Sequence, residues 1–383
     1  MKNWQGMSSR FLPVMRRAAA VVALAVFGVS LSACGPKPPI KLGFIGGLSG
    51  KFADLGTATR NGALLAVEQA NSAGGVGGRQ LTLVEQDDKQ NNDQALLAMA
   101  ELHKQGVAGV VGPSTSSIAV AVAPFAQANQ LLLIAPTATT SKLTGKDDFF
   151  LRSVGDAAFY GKAAARFHYE KQGIRSAALV LDMANADYSE SWGEPYAAEL
   201  TRLGGKVVAI ERFKSTDNPD HAAIAQKLLA SQPQLVLTVA SSVDSALIAQ
   251  RVKGVSPATR MAGAGWASTE RLIELGGGAV DGMLFEQYFD RFDQAPKFQA
   301  FVAAYRERFK GEPGFGAVLA FDAANMLIAG LQKSDKSAVL KANILGIGKF
   351  EGVQNQVLLD NFGDVSRAVT FGVVKDGKFA KAD

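Results

Sequence analysis

The sequence has a single cysteine, Cys34, and only three histidines among its 383 residues. One cysteine excludes an internal disulfide and any metal site built from several thiolates. His103, His168 and His221 lie far apart and have no Glu-x-x-His partner, so the zinc-protease motif is absent. The nucleophile motif Gly-x-Ser-x-Gly is absent as well. We therefore expect no catalytic residues, no metal and no cofactor, and we predict that the protein is not an enzyme.

The main part of the chain also lacks an excess of charge of either sign. The sequence has 40 Lys and Arg against 35 Asp and Glu. Its first 33 residues carry four positive side chains and no acidic one, which leaves 36 positive and 35 negative charges in the rest. A near-neutral chain does not provide the basic surface that tracks nucleic-acid phosphates. We expect no nucleic-acid partner.

The N-terminus has the three parts of an export signal. Residues 1–17 are polar and positive, and the 14 residues from Ala18 to Leu31 carry no charge. That segment is shorter than the roughly 20 residues that span a membrane, but it fits the apolar part of a secretory signal. Leu31-Ser32-Ala33-Cys34 follows and resembles the bacterial lipobox. The alternative is a structural cysteine that happens to follow an apolar segment.

The lipobox resemblance implies cleavage before Cys34 and lipidation of its thiol. We predict a lipoprotein signal peptide at residues 1–33 and a tether at residues 34–39. The tether contains the Gly-Pro-Lys-Pro-Pro segment, which is typical of a stiff, extended chain. The expected location is the periplasm or the cell surface, with lipid attachment to a membrane.

From residue 40 the sequence alternates short β-branched segments with longer amphipathic ones, which is typical of α/β proteins. A first series predicts strands at 40–45, 80–85, 108–111 and 131–134, and helices at 59–72, 92–105 and 118–128. A second series predicts strands at 177–181, 206–213 and 235–239, and helices at 159–172, 192–203, 221–230 and 245–252. Late elements follow, with helices at 295–309 and 317–332 and a strand at 369–374.

Two such series predict two doubly wound lobes joined by a hinge, with a ligand cleft between them. We predict an N-terminal lobe of residues 40–157 plus about 287–364. The C-terminal lobe then holds about 158–286 plus 365–383.

Three further motifs have structural explanations. The glycines at 74, 75, 77 and 78 follow a predicted helix, so they favour a helix-to-strand connection over a dinucleotide loop. Residues 372–378 match phosphate-loop spacing, but Asp376-Gly377 favours a hairpin turn. The adjacent acids Asp87 and Asp88 would point to opposite faces of a strand end, which favours a loop or hinge role.

Two hydroxyl-rich turns follow neighbouring predicted strands. The first is Gly112-Pro113-Ser114-Thr115-Ser116-Ser117, which opens a helix, and the second is Pro136-Thr137-Ala138-Thr139-Thr140-Ser141. Helix capping alone explains either turn by itself. Together, at the carboxyl ends of adjacent strands, they would converge on one site. Since the N–H groups of a helix N-terminus attract anions, we expect a small anionic ligand there.

Several motifs together resemble the branched-chain amino-acid (leucine/isoleucine/valine) family of periplasmic substrate-binding proteins, which has the type I fold and a leucine-binding-protein domain. The resemblance covers about residues 40–375. Its motifs are Ile45-Gly46-Gly47-Leu48-Ser49-Gly50, Asn61-Gly62-Ala63, residues 71–78 (NSAGGVGG), Asp87-Asp88, Val111-Gly112-Pro113-Ser114-Thr115-Ser116, Ala135-Pro136-Thr137-Ala138-Thr139, Trp192-Gly193 and Phe321-Asp322-Ala323-Ala324.

The resemblance implies specific ligand contacts. Ser116 matches the serine that binds the ligand α-carboxylate. Thr137 matches the position whose carbonyl accepts from the α-ammonium, and Thr139 matches a threonine that contributes its N–H and its hydroxyl. Trp192 stands where a tyrosine of the second lobe closes over the ligand.

At three positions this chain departs from the family pattern. Leu55 and Ser242 stand where the family often has aromatic residues, and both are predicted to bind the ligand. Gly265 stands where an acid usually pairs with the ligand ammonium. Because a buried ammonium without a carboxylate is costly, Glu286 or Asp187 supplies the charge, or the ligand has no amine.

The aromatic residues Trp192, Trp266 and Tyr188 would suit a planar ring in the ligand. Packing at a strand end is the other explanation of Trp266, which we include among the predicted ligand-binding residues.

The sequence therefore predicts a lipid-anchored receptor for amino acids or related small carboxylates that closes by a hinge and serves an ABC permease. The alternative is a cell-envelope regulatory lipoprotein that uses this fold for protein contacts and binds no small ligand.

Overall fold

The computed structural model describes residue 1 and residues 37–382. The predicted lipobox and Cys34 lie outside the described residues, so the signal and lipid attachment stay predictions. The lobe limits given above also stay predictions. We use "first lobe" and "second lobe" for each of the two large sheets together with the helices packed on it.

Five parallel strands form the sheet of the first lobe. They are β1 (Ile40–Gly46), β2 (Leu81–Asp87), β3 (Val110–Val111), β4 (Leu133–Ala135) and β5 (Phe150–Arg152). Their order is β2-β1-β3-β4-β5, so the strand order reverses between β1 and β3. In β1 only Lys41 is exposed, as expected for a strand whose sheet is covered on both faces.

Seven strands form the sheet of the second lobe. They are β6 (Ser176–Asp182), β7 (Lys206–Phe213), β8 (Leu235–Val239), β9 (Arg260–Gly263), β10 (Leu284–Gln287), β13 (Thr370–Lys375) and β14 (Lys378–Lys381). The order is β14-β13-β10-β9-β8-β6-β7, with β13 and β14 antiparallel and the others parallel. A small antiparallel pair is formed by β11 (Lys349–Glu351) and β12 (Gln356–Leu358).

The helices alternate with these strands, which confirms the predicted α/β architecture. They are α1 (Ala53–Ser72), α2 (Asn92–Lys104), α3 (Ser116–Ala128), α4 (Ala157–Arg166), α5 (Ala186–Arg202), α6 (His221–Ala230), α7 (Ser242–Val255), α8 (Glu270–Gly276), α9 (Pro296–Phe309), α10 (Phe315–Lys333) and α11 (Leu340–Ile347). Short 3₁₀ turns are Gly50–Phe52, Ser141–Leu143, Met183–Asn185, Ser215–Asp217, Gly265–Ala267, Gly277–Val280 and Ser337–Val339, and Phe167–Lys171 is a π turn that extends α4.

Among the described residues one helix, α10, is long and apolar enough to span a membrane by length and composition, with a mean hydropathy of 1.4. Of its most apolar window, 83% is buried inside the protein, where it packs on α1 and α11. Apolar residues therefore occur all round α10 because it is a core helix of the first lobe.

Two helices begin earlier in the chain than the sequence predicts. α1 begins at Ala53 rather than at residue 59, and the side chain of Asp54 accepts the backbone N–H of Leu55 in its first turn. α5 begins at Ala186 rather than at residue 192, so residues 186–191 are helical. The additional N-terminal residues of both helices include few apolar side chains, so the spacing of apolar residues did not predict that they are helical.

Two of the structural explanations are confirmed. The glycines at 74–78 connect α1 to β2. Asp376 and Gly377 have positive φ angles of 52° and 69° and form the turn between β13 and β14, so this segment is a hairpin.

Close packing of α1 on α10 depends on Gly62. A Cβ at this position would lie 2.1 Å from the carbonyl oxygen of Ala317, so the two backbones would have to separate. We predict that Gly62→Ala lowers the free energy of unfolding by about 1–3 kcal/mol. Chemical denaturation of both variants below would measure it.

Gly254→Ala is the matched control, because this helical glycine in α7 has no heavy atom within 4 Å of its added Cβ. It should leave stability unchanged or raise it by up to about 1 kcal/mol. Equal loss of stability in both variants would contradict the packing argument.

Candidate functional site

A cavity lies between the two lobes, where loops leave the carboxyl ends of the strands. Its free volume is only about 10 Å³, which is room for about one water molecule. Its lining residues are Leu55, Ser114, Thr115, Thr137, Asn185, Tyr188, Trp266, Tyr288 and Phe315. None of these lining residues has a charged side chain, and most carry a hydroxyl or an aromatic ring. A solute larger than a water molecule therefore requires these walls to move apart.

Two hydroxyl-rich turns form the wall on the side of the first lobe. The hydroxyl of Ser116, the first residue of α3, accepts the backbone N–H groups of Thr139 and Thr140, each at 3.2 Å. The hydroxyl of Thr137 donates to the carbonyl of Ser114 at 2.5 Å. These bonds join the loops after β3 and β4. The predicted convergence of the two turns is therefore confirmed.

Thr139 carries a buried hydroxyl with no hydrogen-bond partner among the described residues. The residue is 1% exposed, so water does not replace the missing partner freely. An unsatisfied buried polar group costs about 1–3 kcal/mol.

Aromatic side chains form the opposite wall. The hydroxyls of Tyr188 and Tyr288 lie 3.2 Å apart and share a hydrogen bond. Tyr188 meets Trp266 edge to face at 5.5 Å, and Tyr288 meets Phe315 in the same manner at 5.1 Å. Burial raises the pKa of both phenols well above the usual value, so both are neutral at any physiological pH.

Trp192 lies behind this wall. It is fully buried, stacks on Tyr196 at 5.3 Å and donates its indole N–H to Glu286 Oε1 at 2.8 Å. Tyr188, one turn earlier on α5, is the residue of this helix that lines the cavity.

The backbone at Gly265 is held by its neighbours in the second lobe. Its N–H donates to Glu286 Oε1 at 2.6 Å. A Cβ at Gly265 would lie 2.7 Å from Cζ and 2.9 Å from the hydroxyl oxygen of Tyr288. Tyr288 therefore occupies the space into which a side chain at position 265 would extend.

Glu286 is a buried acid close to this corner. Burial raises the pKa of its carboxyl to about 8, although the Gly265 N–H and the Trp192 indole act in the opposite direction. Its second oxygen, Oε2, has no hydrogen-bond partner among the described residues. At neutral pH the carboxyl is mostly protonated and uncharged.

Polar contacts close one rim of the cavity. Lys51, in the 3₁₀ turn before α1, reaches across to the second lobe and donates to the carbonyl of Ser215 at 2.6 Å. Its Nζ also lies 3.8 Å from Asp244, whose side chain is fully buried and is bound by His221 at 2.9 Å. The two lobes are therefore in contact around the cavity.

Hydrogen bonds to Asp54 and an ion pair between Lys142 and Asp187 also bridge the lobes. Asp54 accepts from the hydroxyl of Ser242 at 2.7 Å and from that of Thr269 at 3.0 Å. On the other rim Lys142 donates to Asp187 at 2.6 Å. Both acids are thus already paired within the protein.

The seven predicted ligand-binding residues fall into three groups. Those that line the cavity are Leu55, Thr137 and Trp266. Those that lie behind its walls are Ser116, Thr139 and Trp192. The residue on the rim is Ser242. Their ligand contacts stay predictions.

Sequence reasoning missed Tyr288, Phe315 and Asn185 as lining residues. Tyr288 follows β10, a four-residue strand that the pattern did not predict. Asn185 precedes α5, whose start was placed too late, and its side chain accepts the N–H of Ser117 across the cleft at 3.0 Å. The signal for that start was Asp182, which caps the 3₁₀ turn before α5 by accepting the N–H of Ala184.

Within residues 37–382 no group of three or more His, Cys, Asp and Glu side chains is placed to hold a metal ion. The arrangement of the site is that of a receptor for a small molecule, with hydrogen-bonding groups on one wall and rings on the other.

Comparison with known proteins gives consistent matches over most of the chain. The sequence profile of the family described as "Periplasmic binding protein" matches residues 39–378. The leucine-, isoleucine-, valine-, threonine- and alanine-binding protein of Pseudomonas aeruginosa is 27% identical over 332 residues, which are 85% of this chain and 87% of that protein.

Solved structures share the fold. The branched-chain amino acid transporter substrate binding protein of Streptococcus pneumoniae, in complex with isoleucine, is 26% identical with a TM-score of 0.83, over 89% of this chain and 97% of that one. A solute binding protein from R. palustris in complex with benzoate is 20% identical with a TM-score of 0.81, over 90% and 95% of the two chains. These matches confirm the predicted fold class.

We predict that Lys51→Met favours opening of the lobes. The variant keeps most of the side-chain stem but loses the bond to Ser215 and the attraction to Asp244. Because Lys51 is partly exposed, we expect a shift of only about 1 kcal/mol, or roughly five-fold, toward the open form. Small-angle X-ray scattering would report it as a larger radius of gyration.

Lys253→Met is the matched control, since Lys253 donates to the carbonyl of Pro257, just after the end of its own helix and within the second lobe. An unchanged scattering curve for Lys51→Met, at every salt concentration, would remove Lys51 from the closing contacts.

Proposed function

Because the chain belongs to the periplasmic binding protein family, we propose that it is a receptor that closes its two lobes around a small carboxylate and delivers it to an ABC permease. Closure by hinge motion traps the solute between walls that come from different lobes. The protein itself supplies no energy, and ATP hydrolysis by the permease complex would drive release.

The observation that carries this proposal is the make-up of the cavity. One wall presents the hydroxyls of the two turns and the N-terminus of α3, whose N–H groups and dipole favour an anion. The unpartnered hydroxyl of Thr139 lies behind this wall, in the same turn as the lining residue Thr137. The other wall is aromatic. A carboxylate on a small apolar body matches both walls at once.

Relatives support this class of ligand. The P. aeruginosa relative is named for five amino acids, and the S. pneumoniae structure holds isoleucine. All are small carboxylates with apolar or short side chains. The relatives are transport proteins rather than enzymes, which supports the expectation that this chain has no catalytic residues.

The export signal and lipobox support a periplasmic location with attachment to a membrane. In this proposal the lipid on Cys34 tethers the receptor, and residues 35–39 keep the lobes at a short distance from the bilayer. Partners are then the solute, the permease and the membrane.

One observation favours the alternative of an envelope regulator that binds no solute. The cavity is small, and aromatic side chains of the protein occupy much of the space between the lobes. In that case, no small molecule would change the stability of the protein.

Thermal unfolding against a panel of solutes separates the two functions. The panel contains leucine, isoleucine, valine, phenylalanine, polar amino acids, aromatic and aliphatic carboxylates, short amides and urea. A bound ligand at 100 times its dissociation constant adds about 2.7 kcal/mol of stability, which is a shift of a few degrees. If no carboxylate shifts the transition, the regulator becomes the better interpretation.

Thr139→Val tests the binding wall. Valine keeps the shape of threonine but removes the hydroxyl, so affinity for the carboxylate found in the panel should fall about 10- to 100-fold. Stability without ligand should be unchanged or higher, because the lost hydroxyl has no partner in the structure. Isothermal titration calorimetry and thermal unfolding measure the two quantities.

Thr238→Val is the control, a buried threonine of β8 whose hydroxyl makes only a long 3.4 Å bond to Ala262. It should leave the affinity unchanged. Ser116→Ala should lower both affinity and stability, since Ser116 also accepts two backbone N–H groups. Full affinity in Thr139→Val would exclude this hydroxyl from the site.

A final prediction concerns the anchor. Cys34→Ala should move the protein from the membrane fraction to the soluble periplasmic fraction, because no thiol remains for lipid attachment. Fractionation followed by immunoblotting measures this. A variant that stays in the membrane pellet after a high-salt wash would contradict the lipobox assignment.

A further inference from the structure

We propose that Tyr288, together with Gly265, selects carboxylates that lack a protonated amine. This inference rests on the proposed function and names the substrate class of the same cavity. The ligand would be a small apolar or aromatic acid, with or without an oxygen substituent beside the carboxylate.

Position 265 has no free space for a side chain. Gly265 lies in the 3₁₀ turn that follows β9. A Cβ there would lie within 2.7–2.9 Å of the Tyr288 ring and hydroxyl, and 2.9 Å from the backbone carbonyl oxygen of Glu286. Tyr288 is 5% exposed and is held by Phe315 and by Tyr160, at 4.8 Å, so it does not move aside freely. An acid cannot approach the ligand from this backbone position while Tyr288 is present.

The nearby acids bind other groups of the protein and do not line the cavity. Glu286 uses one oxygen for the Gly265 N–H and the Trp192 indole, and the residue is not part of the cavity lining. Asp187 is paired with Lys142 on one rim, and Asp54 accepts two hydroxyl groups on the other. Among the described residues that line the cavity, none is anionic.

Two tyrosine hydroxyls, rather than an acid, line this corner of the cavity. The hydroxyls of Tyr188 and Tyr288 are neutral, and one of them donates its proton to the oxygen of the other. The second proton of the pair is left to donate. Such a corner favours a hydrogen-bond acceptor, such as a keto or hydroxyl oxygen, or a bare hydrocarbon. It does not compensate an ammonium, which can only donate.

The cost of an ammonium follows from burial. An ammonium taken from water without a carboxylate loses its hydration and gains no counter-charge. An amino acid should therefore bind at least about 100-fold more weakly than the same acid without its amine, which corresponds to about 2.7 kcal/mol.

Matched pairs of probes test this by isothermal titration calorimetry on the purified protein. Leucine is compared with 4-methylpentanoate and 4-methyl-2-oxopentanoate, which have the same carbon skeleton and no amine. Phenylalanine is compared with 3-phenylpropanoate in the same way. The neutral amide 4-methylpentanamide is the control for the carboxylate itself.

We expect the amine-free acids to bind at least about 100-fold tighter than their amino acids, and the amide to bind no better than the amino acids. If leucine or phenylalanine binds as tightly as its amine-free partner, the inference is wrong while the proposed function stands. If no acid of either kind binds, the proposed function fails and the inference fails with it.

Variants of the protein test which residues exclude ligands that carry an amine. Glu286→Gln should keep the preference for amine-free acids, because in this account Glu286 does not contact the ligand. If instead that variant loses the binding of an amino acid that the native protein binds, Glu286 is the ammonium partner and the inference is overturned.

The double change Gly265→Asp and Tyr288→Ala supplies an acid and removes the ring from its path, while the backbone carbonyl oxygen of Glu286 stays 2.9 Å from the new Cβ. It should gain affinity for leucine at least 10-fold relative to Tyr288→Ala alone, which is the matched control for the enlarged cavity. Circular dichroism and thermal unfolding establish that both variants are folded. Equal leucine affinity in the two folded variants would contradict the role given to this corner.

Discussion

Parallel strands release their loops at one edge of a sheet, and both lobes place that edge at the cleft. Gly112 shows how tightly this constrains the first lobe: its φ is +122°, and a Cβ there would lie 2.1 Å from the Ile45 carbonyl oxygen. With the loop held against β1, Ser116 comes within reach of the Thr139 and Thr140 N–H groups. One hydroxyl thereby fixes two loops, and the polar wall of the cavity follows from it.

The aromatic wall depends on a second constraint, the burial of Glu286. Its carboxyl is held by one backbone N–H and one indole, which is too little to keep it charged, and the pKa rises to about 8 from its usual 4.5. The folded state therefore retains a proton that the unfolded chain loses, and this contribution to stability is lost as pH rises from about 4.5 to 8. A neutral acid can lie beside Trp192 and behind the tyrosines, whereas a charged one would need a cation that no lining residue supplies.

The sequence was sufficient wherever an element was long and its period clear. Strands β6 to β8 and helix α6 lie within a residue or so of their predicted limits, and the two hydroxyl-rich turns meet as expected. Strands β5, β9 and β10 have only three or four residues, too few for a period, and Tyr288 went unnoticed with β10. Nor can a sequence reveal that Tyr288 fills the space beside Gly265, because that contact joins residues that follow two different strands.

Each contact between the two lobes adds only a small free energy to the closed form. Lys51 is partly exposed, and the hydroxyl bonds of Asp54 lie on the rim, so each contact contributes about 1 kcal/mol or less. Moving an equilibrium from 1:99 to 99:1 takes about 5.5 kcal/mol of differential affinity. Rim contacts alone fall short of that. A ligand supplies the remainder only if it reaches the hydroxyls of one lobe and the rings of the other at the same time, which is possible only in the closed form. The chemistry of the two walls therefore decides both which solute is bound and how far its binding closes the receptor.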